Sequence, residues 1–441
     1  MRFDTYDEAL NWLESHVDFE RVVPRQRTTS LEPVRRALSL MGEPQVDYPS
    51  VHVTGTNGKG TTTTLCSALL GASGLRVGTF TSPDLHAVNE RIAVNGAPID
   101  DDDFRALMGR LADVESAGGL SLTRFELLTV AALIHFSDEG VEVAVIEVGM
   151  GGTWDSTNVL EAPVAVLTNV DLEHTAVLGT TVREIATDKS GIVHPGAVGV
   201  LGTEDAVVVD VFRQRCAAVG ATSWLRGVDF DLPHNDLALG GRLLSLRTPF
   251  ATYEDVELRL HGAHQGDNAL TALVAAEALL DRAIGEEVVR AAFAQATMPG
   301  RLEVLAHSPM VVVDGAHNPA GVAVLARSLA GAFHVSGARR AVIGVLRGRE
   351  LADMLRPLVE IGIEEFYCCA PDSPRAVPVS ELGERVRRFG VAAHEHPSSA
   401  TALAHARERS SDDDLIVVTG SLYLVGEVRG EILGIVSRHM H

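Results

Sequence analysis

Val51-His52-Val53-Thr54-Gly55-Thr56-Asn57-Gly58-Lys59-Gly60-Thr61-Thr62 is a short β-rich run that passes through a glycine-rich loop into a helical pattern over 62–72. RVGTFTS (76–82) follows and reads as another strand. Strand, glycine loop, helix, strand is a βαβ unit, and that unit requires a parallel sheet. The loop is one residue tighter than GxxxxGK[ST], because Val53 stands where that pattern needs glycine. The physics is the same. Glycines let backbone N–H groups converge on phosphate, the helix N-terminus adds positive dipole, Lys59 supplies a compact charge, and the Thr61 hydroxyl reaches a magnesium ion. A plain glycine turn before a helix is the competing reading. The lysine count weighs against it: of 37 basic residues only Lys59 and Lys189 are lysine. A lysine kept where arginine is the rule suits a compact ammonium against phosphate, or an amine that can lose its proton and react.

The alternation continues outward. The spacing predicts helices over 6–16, 31–41 and 125–140, strands over 141–149, 163–170 and 197–202, a helix beginning near 180, a polar β-like stretch over 222–262, and an apolar helix over 269–281. The rhythm then restarts with strands at 310–313, 339–346, 363–370 and 414–421. A second, smaller α/β domain over 298–441 is therefore expected, joined to residues 1–297 near TMPGR (297–301). Ligands in such sheets bind at the carboxyl ends of the strands.

The length of 441 residues accommodates two or three domains of about 150 residues each. A formal charge of -22 argues against nucleic acid or an anionic membrane as partner. Cys66, Cys216, Cys368 and Cys369 have no CxxC spacing, which suits a reducing cytoplasm. The N-terminus is acidic and carries no signal-like apolar run, and no stretch reaches the ~18 apolar residues of a membrane span. Arg438-His439-Met440-His441 reads as solvated tail.

Further motifs follow strand ends. Glu147 closes an apolar strand before Gly149-Met150-Gly151-Gly152, where a hard carboxylate suits magnesium on a triphosphate. His174, in Asp171-Leu172-Glu173-His174-Thr175, is a candidate metal ligand or an ordinary polar loop residue. Lys189 is open to two readings: a buried amine able to form a carbamate with CO₂, or a surface lysine favoured by a helix C-terminus. Asp314-Gly315-Ala316-His317-Asn318-Pro319 clusters polar groups at the interdomain face. Arg301, at the junction, is placed to clamp a phosphate across a closing cleft.

These segments, in this order, resemble the folylpolyglutamate synthase and dihydrofolate synthase family of the Mur ligase superfamily. The match runs through HVTGTNGKGT (52–61), FTSPDLHAVNERIAVNG (80–96), RFELLT (124–129), EVGMGGTWDSTNV (147–159), LTNVDLEHTAVLGTTVREIATDKSGI (167–192), HQGDNA (264–269), MPGRLE (298–303) and DGAHNP (314–319). The resemblance implies a parallel-sheet ATPase domain of P-loop type followed by a smaller Rossmann-like α/β domain. It implies an ATP-dependent acid–amino-acid ligase that adds L-glutamate to a folate or pteroate carboxylate through an acyl phosphate. Thr56, Asn57, Gly58, Lys59, Gly60, Thr61 and Thr62 would then cradle ATP, with Asn268, Arg301 and Asp314 touching it. Thr61 and Glu147 would hold one Mg²⁺, and Ser82 and His174 would help hold a second. Lys189 falls at the family's carbamylated lysine, and His317 would sit by the glutamate. Asp84, Arg124, Phe125, Thr153, Trp154 and Asp155 fall on the substrate side.

Three places depart from the family pattern. Asp84 replaces histidine in TSPHL, Thr153-Trp154 interrupts GGRxDxTN, and Arg347-Gly348-Arg349 replaces an Asp-Lys-Asp stretch. Arg124 is a candidate to restore the arginine charge lost beside Trp154. The alternatives weighed are a Mur-type ligase acting on a different acid and a nucleotide switch without ligase chemistry. The switch needs only the phosphate loop, so Glu147, His174, Lys189 and Asp314 speak against it. A cytoplasmic monomer working on small molecules is the expected form.

Overall fold

The computed structural model describes residues 2–19, 30–435 and 438. Eight strands form the first sheet: β1 Ser50–Thr54, β2 Val77–Phe80, β3 Ile92–Val94, β4 Ala97–Pro98, β5 Val143–Glu147, β6 Val164–Leu167, β7 Val198–Leu201 and β8 Thr222–Leu225. Their spatial order is β4-β3-β2-β5-β1-β6-β7-β8. From β2 to β8 neighbouring strands are parallel, while β3 and β4 are antiparallel additions. Strands β1, β5 and β6 are buried along their whole length. This is why each reads as an apolar run without alternation: helices cover both faces of a parallel sheet.

On one face, helix Lys59–Ala72 packs against His264–Leu280, and on the other lie the helices Arg124–Asp138 and Asp101–Gly118. The stretch 222–262 divides. Its first strand, β8, joins the main sheet, and β9 Asp231–Ala238, β10 Gly241–Arg247 and β11 Thr252–Leu258 form a separate antiparallel meander. The helix expected from 269 begins at His264, which carries Asn268 into its first turns.

The second sheet contains β12 Glu303–His307, β13 Met310–Val313, β14 Arg339–Ile343, β15 Ile363–Cys368, β16 Ala392–Glu395 and β17 Leu415–Thr419. The order is β12-β13-β17-β14-β15-β16, and only β12 runs antiparallel. β12 and β16 escaped the sequence reading because edge strands carry mixed, half-exposed residues. Arg438, in the segment expected to be solvated tail, is exposed but tethered. Its guanidinium pairs with Asp101 at 2.7 Å and its N–H donates to the His86 carbonyl at 2.7 Å. Residues 439–441 lie outside the described chain.

Candidate active site

The phosphate loop is bolted to the end of the neighbouring strand. Thr56 N–H donates to the Asn169 carbonyl (2.9 Å), and Asn57 N–H donates to Asn169 Oδ1 (2.9 Å). Thr168 Oγ1 and Asn169 Nδ2 both donate to the Asn57 carbonyl, at 2.7 and 3.0 Å. Gly58 has φ +82°, and a Cβ there would meet Asn268 Oδ1 at 2.3 Å, so the turn demands glycine. Lys59 opens the helix, and its ammonium donates to the carbonyls of Gly55 (3.1 Å) and Thr56 (3.3 Å). Lys189 donates to the same Gly55 carbonyl at 2.7 Å. The chain's two lysines therefore meet at one loop. Burial first, and Lys59 second, push the Lys189 pKa down to about 7.

Carboxylates and histidines face this loop. Glu147 ends β5, is buried, and accepts the Ser82 N–H at 3.0 Å. Burial raises its pKa, against the pull of Lys59. Glu173 is buried as well, within 3.4 Å of His317 Nε2, 3.7 Å of Arg349 and 3.8 Å of His174. Burial alone would raise its pKa, but the His317 hydrogen bond and the surrounding cations hold it well below the carboxylate range. Burial, with Arg349, Lys59 and Lys189, lowers His174 to about 4 and leaves it a neutral imidazole.

The second sheet completes the cleft. Asp314 follows β13, accepts N–H bonds from Leu302 (2.9 Å) and Ala316 (2.8 Å), and has its pKa raised by burial against the charge of Arg301. Asn318 caps helix Pro319–Ala332 and also crosses the cleft, donating to Asn57 Oδ1 (3.1 Å) and Glu173 Oε1 (3.3 Å).

One cavity of about 570 Å³ joins these groups. Its wall includes Thr56, Asn57, Gly58, Lys59, Gly60, Thr61, Ser82, Phe125, Glu147, Trp154, Asp155, His174, Asn268, Arg301, Asp314 and His317. Five of the residues anticipated from the sequence are not on that wall. Thr62 is fully buried beneath the helix's first turn. Lys189 lies behind the loop, against the Gly55 carbonyl. Thr153 is turned away, its N–H and hydroxyl both donating to the Asp188 carbonyl at 3.0 and 2.9 Å. Asp84 is committed to a buried ion pair with Arg91. Arg124 does not restore a charge to the cleft, because it is buried against Glu14 (2.8 Å) and Asp18 (3.9 Å).

Sequence reasoning missed Glu173, Asn169 and Arg375 as wall-forming groups, while Asn318 was placed in the interdomain polar cluster and Arg349 among the departures near the cleft, neither with an assigned role. Glu173 stands beside His174 in the loop that follows β6, and that position was the available signal. Arg375 had none. It is brought in by the Arg347 N–H to Arg375 carbonyl bond (2.7 Å) between two distant loops.

Among the described residues no three His, Cys, Asp or Glu side chains converge as a metal cage. The donor set still fits magnesium on a nucleotide. That ion takes one or two protein oxygens and fills its shell with phosphate and water, and Thr61, Ser82 and Glu147 offer hard oxygens beside the loop.

Comparison with known proteins agrees with this geometry. The Mur ligase middle domain matches residues 53–276, and the Mur ligase glutamate ligase domain matches residues 300–422. The dihydrofolate synthase/folylpolyglutamate synthase of Mycobacterium tuberculosis is 34% identical, covering 96% of this chain and 94% of its own. The folylpolyglutamate synthase of Lacticaseibacillus casei is 35% identical, covering 97% and 99%. Among solved structures, M. tuberculosis folylpolyglutamate synthase complexed with ADP superposes with a TM-score of 0.89 at 32% identity, covering 97% and 98%. E. coli FolC in complex with DHPP and ADP superposes with a TM-score of 0.87 at 29% identity, covering 97% and 98%. Fold, cleft and likeness over nearly the full length agree: the chain belongs to the dihydrofolate synthase/folylpolyglutamate synthase family of Mur-type, ATP-dependent amide ligases.

Proposed function

We propose that this chain joins L-glutamate to a pteroate or folate carboxylate at the expense of ATP. The observation that carries the reading is the two-sided cleft. A phosphate loop with Glu147 lies on one wall, and Arg301, Asp314 and His317 stand on the other. A nucleotide switch has no need of the second wall; a ligase that must bring ATP, an acid and an amine together does.

An acceptor carboxylate oxygen attacks the γ-phosphorus and ADP departs, leaving an acyl phosphate. The glutamate amine then attacks the acyl carbon, phosphate departs, and the amine gives up a proton. Lys59 and the helix N-terminus hold the transferring phosphoryl group. Asn268, Arg301 and Asp314 grip the nucleotide, and His317, with Arg349 and Arg375 nearby, faces the incoming amino acid. Phe125, Trp154 and Asp155 form the acceptor side. Magnesium, one ion at Thr61 and Glu147 and a second near Ser82 and His174, would supply charge neutralisation on the phosphates. Lys189, with a pKa of about 7, holds enough neutral amine to add CO₂ and lose a proton, forming a carbamate. Residues 1–297 and 298–441 act as the two domains of a cytoplasmic monomer. Among the described residues no helix is long and apolar enough to cross a membrane.

ADP release with ATP, Mg²⁺ and L-glutamate, compared across dihydropteroate, tetrahydrofolate and no acceptor, tests the reading. One glutamate gained on dihydropteroate, read by mass spectrometry, identifies dihydrofolate synthase activity. Serial gains on tetrahydrofolate identify polyglutamylation. If nucleotide binds and neither acceptor raises ADP release, the proposed acceptor class is wrong.

A further inference from the structure

Residues 81–91 leave β2 and connect the two sides of the cleft. At one end Ser82 N–H is bonded to Glu147. The middle is held rigid from within: the Glu90 carboxylate accepts N–H bonds from Leu85 (2.8 Å), His86 (3.2 Å) and Ala87 (3.2 Å), and Asp84 pairs with Arg91, both side chains no more than 3% exposed. The tip points into the other body. Leu85 packs on the apolar cluster that includes Val313, Leu424, Val425 and Val428. Gly426, on helix Leu422–Leu433, lies so close that a Cβ would stand 2.5 Å from the Leu85 carbonyl oxygen. Arg429, one turn on, donates to His86 Nε2 at 3.0 Å while Glu303 holds its Nε at 2.9 Å.

We propose that Leu85 is a positioning residue: it is the knob that seats the second body over the phosphate loop and so places Arg301 and Asp314 opposite Lys59. A preorganised loop with one end on a cleft carboxylate and its tip keyed into the opposite body transmits the position of one to the other. The three nearest atoms that a Cβ at Gly426 would meet all belong to Leu85, while alanine is the better helix former, so the docking accounts for the glycine.

Spin labels at Asp102→Cys and Glu384→Cys, both on exposed side chains, report the distance between the bodies, since the four native cysteines are buried. Electron–electron resonance with bound ATP is expected to give one narrow distribution for the parent and for Leu85→Met. Leu85→Ala and Gly426→Ala are expected to give a longer, broader one and to weaken ATP binding, read by titration calorimetry, at least tenfold. Unchanged distances in both variants overturn the proposal, as does a broadened distribution with unchanged ATP affinity. Neither readout needs an acceptor, so a failure of the ligase reading shows itself separately, as absent turnover in the parent.

Discussion

His52 sits in β1 two residues before the loop, wholly buried. Thr157 Oγ1 donates to Asp155 Oδ1 (2.5 Å), so it accepts from His52 Nε2–H (2.8 Å), and Nδ1 is left bare. Burial first, then His194, push the His52 pKa down to about 3. The unfolded chain takes up this proton near pH 6.5 and the folded chain does not, so stability falls as pH drops from about 6.5 towards 3. Over pH 6.5 to 5.0 the loss from this one residue is about 2 kcal/mol. Urea denaturation at the two pH values is expected to show that increment in the parent and its absence in His52→Leu. An equal drop in both proteins would refute the assignment. At Lys189, arginine keeps a cation but offers no amine for carbamate chemistry. Lys189→Arg is expected to lower kcat about a hundredfold with ATP still bound; retention of kcat would remove the carbamate from the mechanism.

At the scale of the element, the decisive unit is the turn between β1 and helix Lys59–Ala72. Gly58→Ala forces a left-handed backbone angle on a side chain and drives its Cβ against Asn268. The strain costs about 1–3 kcal/mol. The turn is expected to open, with ATP binding lost in calorimetry while far-ultraviolet circular dichroism stays native. Retained affinity would show that the turn tolerates αL alanine. This element was legible because its glycines, lysine and flanking strand are local. β3, β4 and helix Asp101–Gly118 were not read, since short edge strands and a helix opening on three aspartates carry weak periodicity.

For the whole molecule, the cleft exists only while the two sheets stay apposed. Asn318 is the smallest test of that. Aspartate would still cap its helix by accepting from Gly321 N–H, but it would replace an amide donor with a second carboxylate 3.3 Å from Glu173. Asn318→Asp is expected to keep the melting temperature within a few degrees and to lower kcat/KM about tenfold. A wild-type kcat/KM would mean that the crossing bond does not govern closure.

Local chemistry determined the βαβ start, the phosphate loop, the run of buried strands and the restart of the pattern after 298, because each depends on residues within a few positions of one another. The polar strand-end residues Glu147, His174, Asp314 and His317 were found for the same reason. Tertiary structure alone decided which charges remain available. Arg124 and Asp84 carry charge in the sequence, yet each is spent on a buried counter-ion: Glu14, 110 residues earlier, for Arg124, and Arg91 of the same loop, desolvated by the packing around it, for Asp84. Lys189 acquires its lowered pKa only from burial beside Lys59, 130 residues earlier in the chain. Desolvation and ion pairing are set by long-range packing, and no local pattern encodes them.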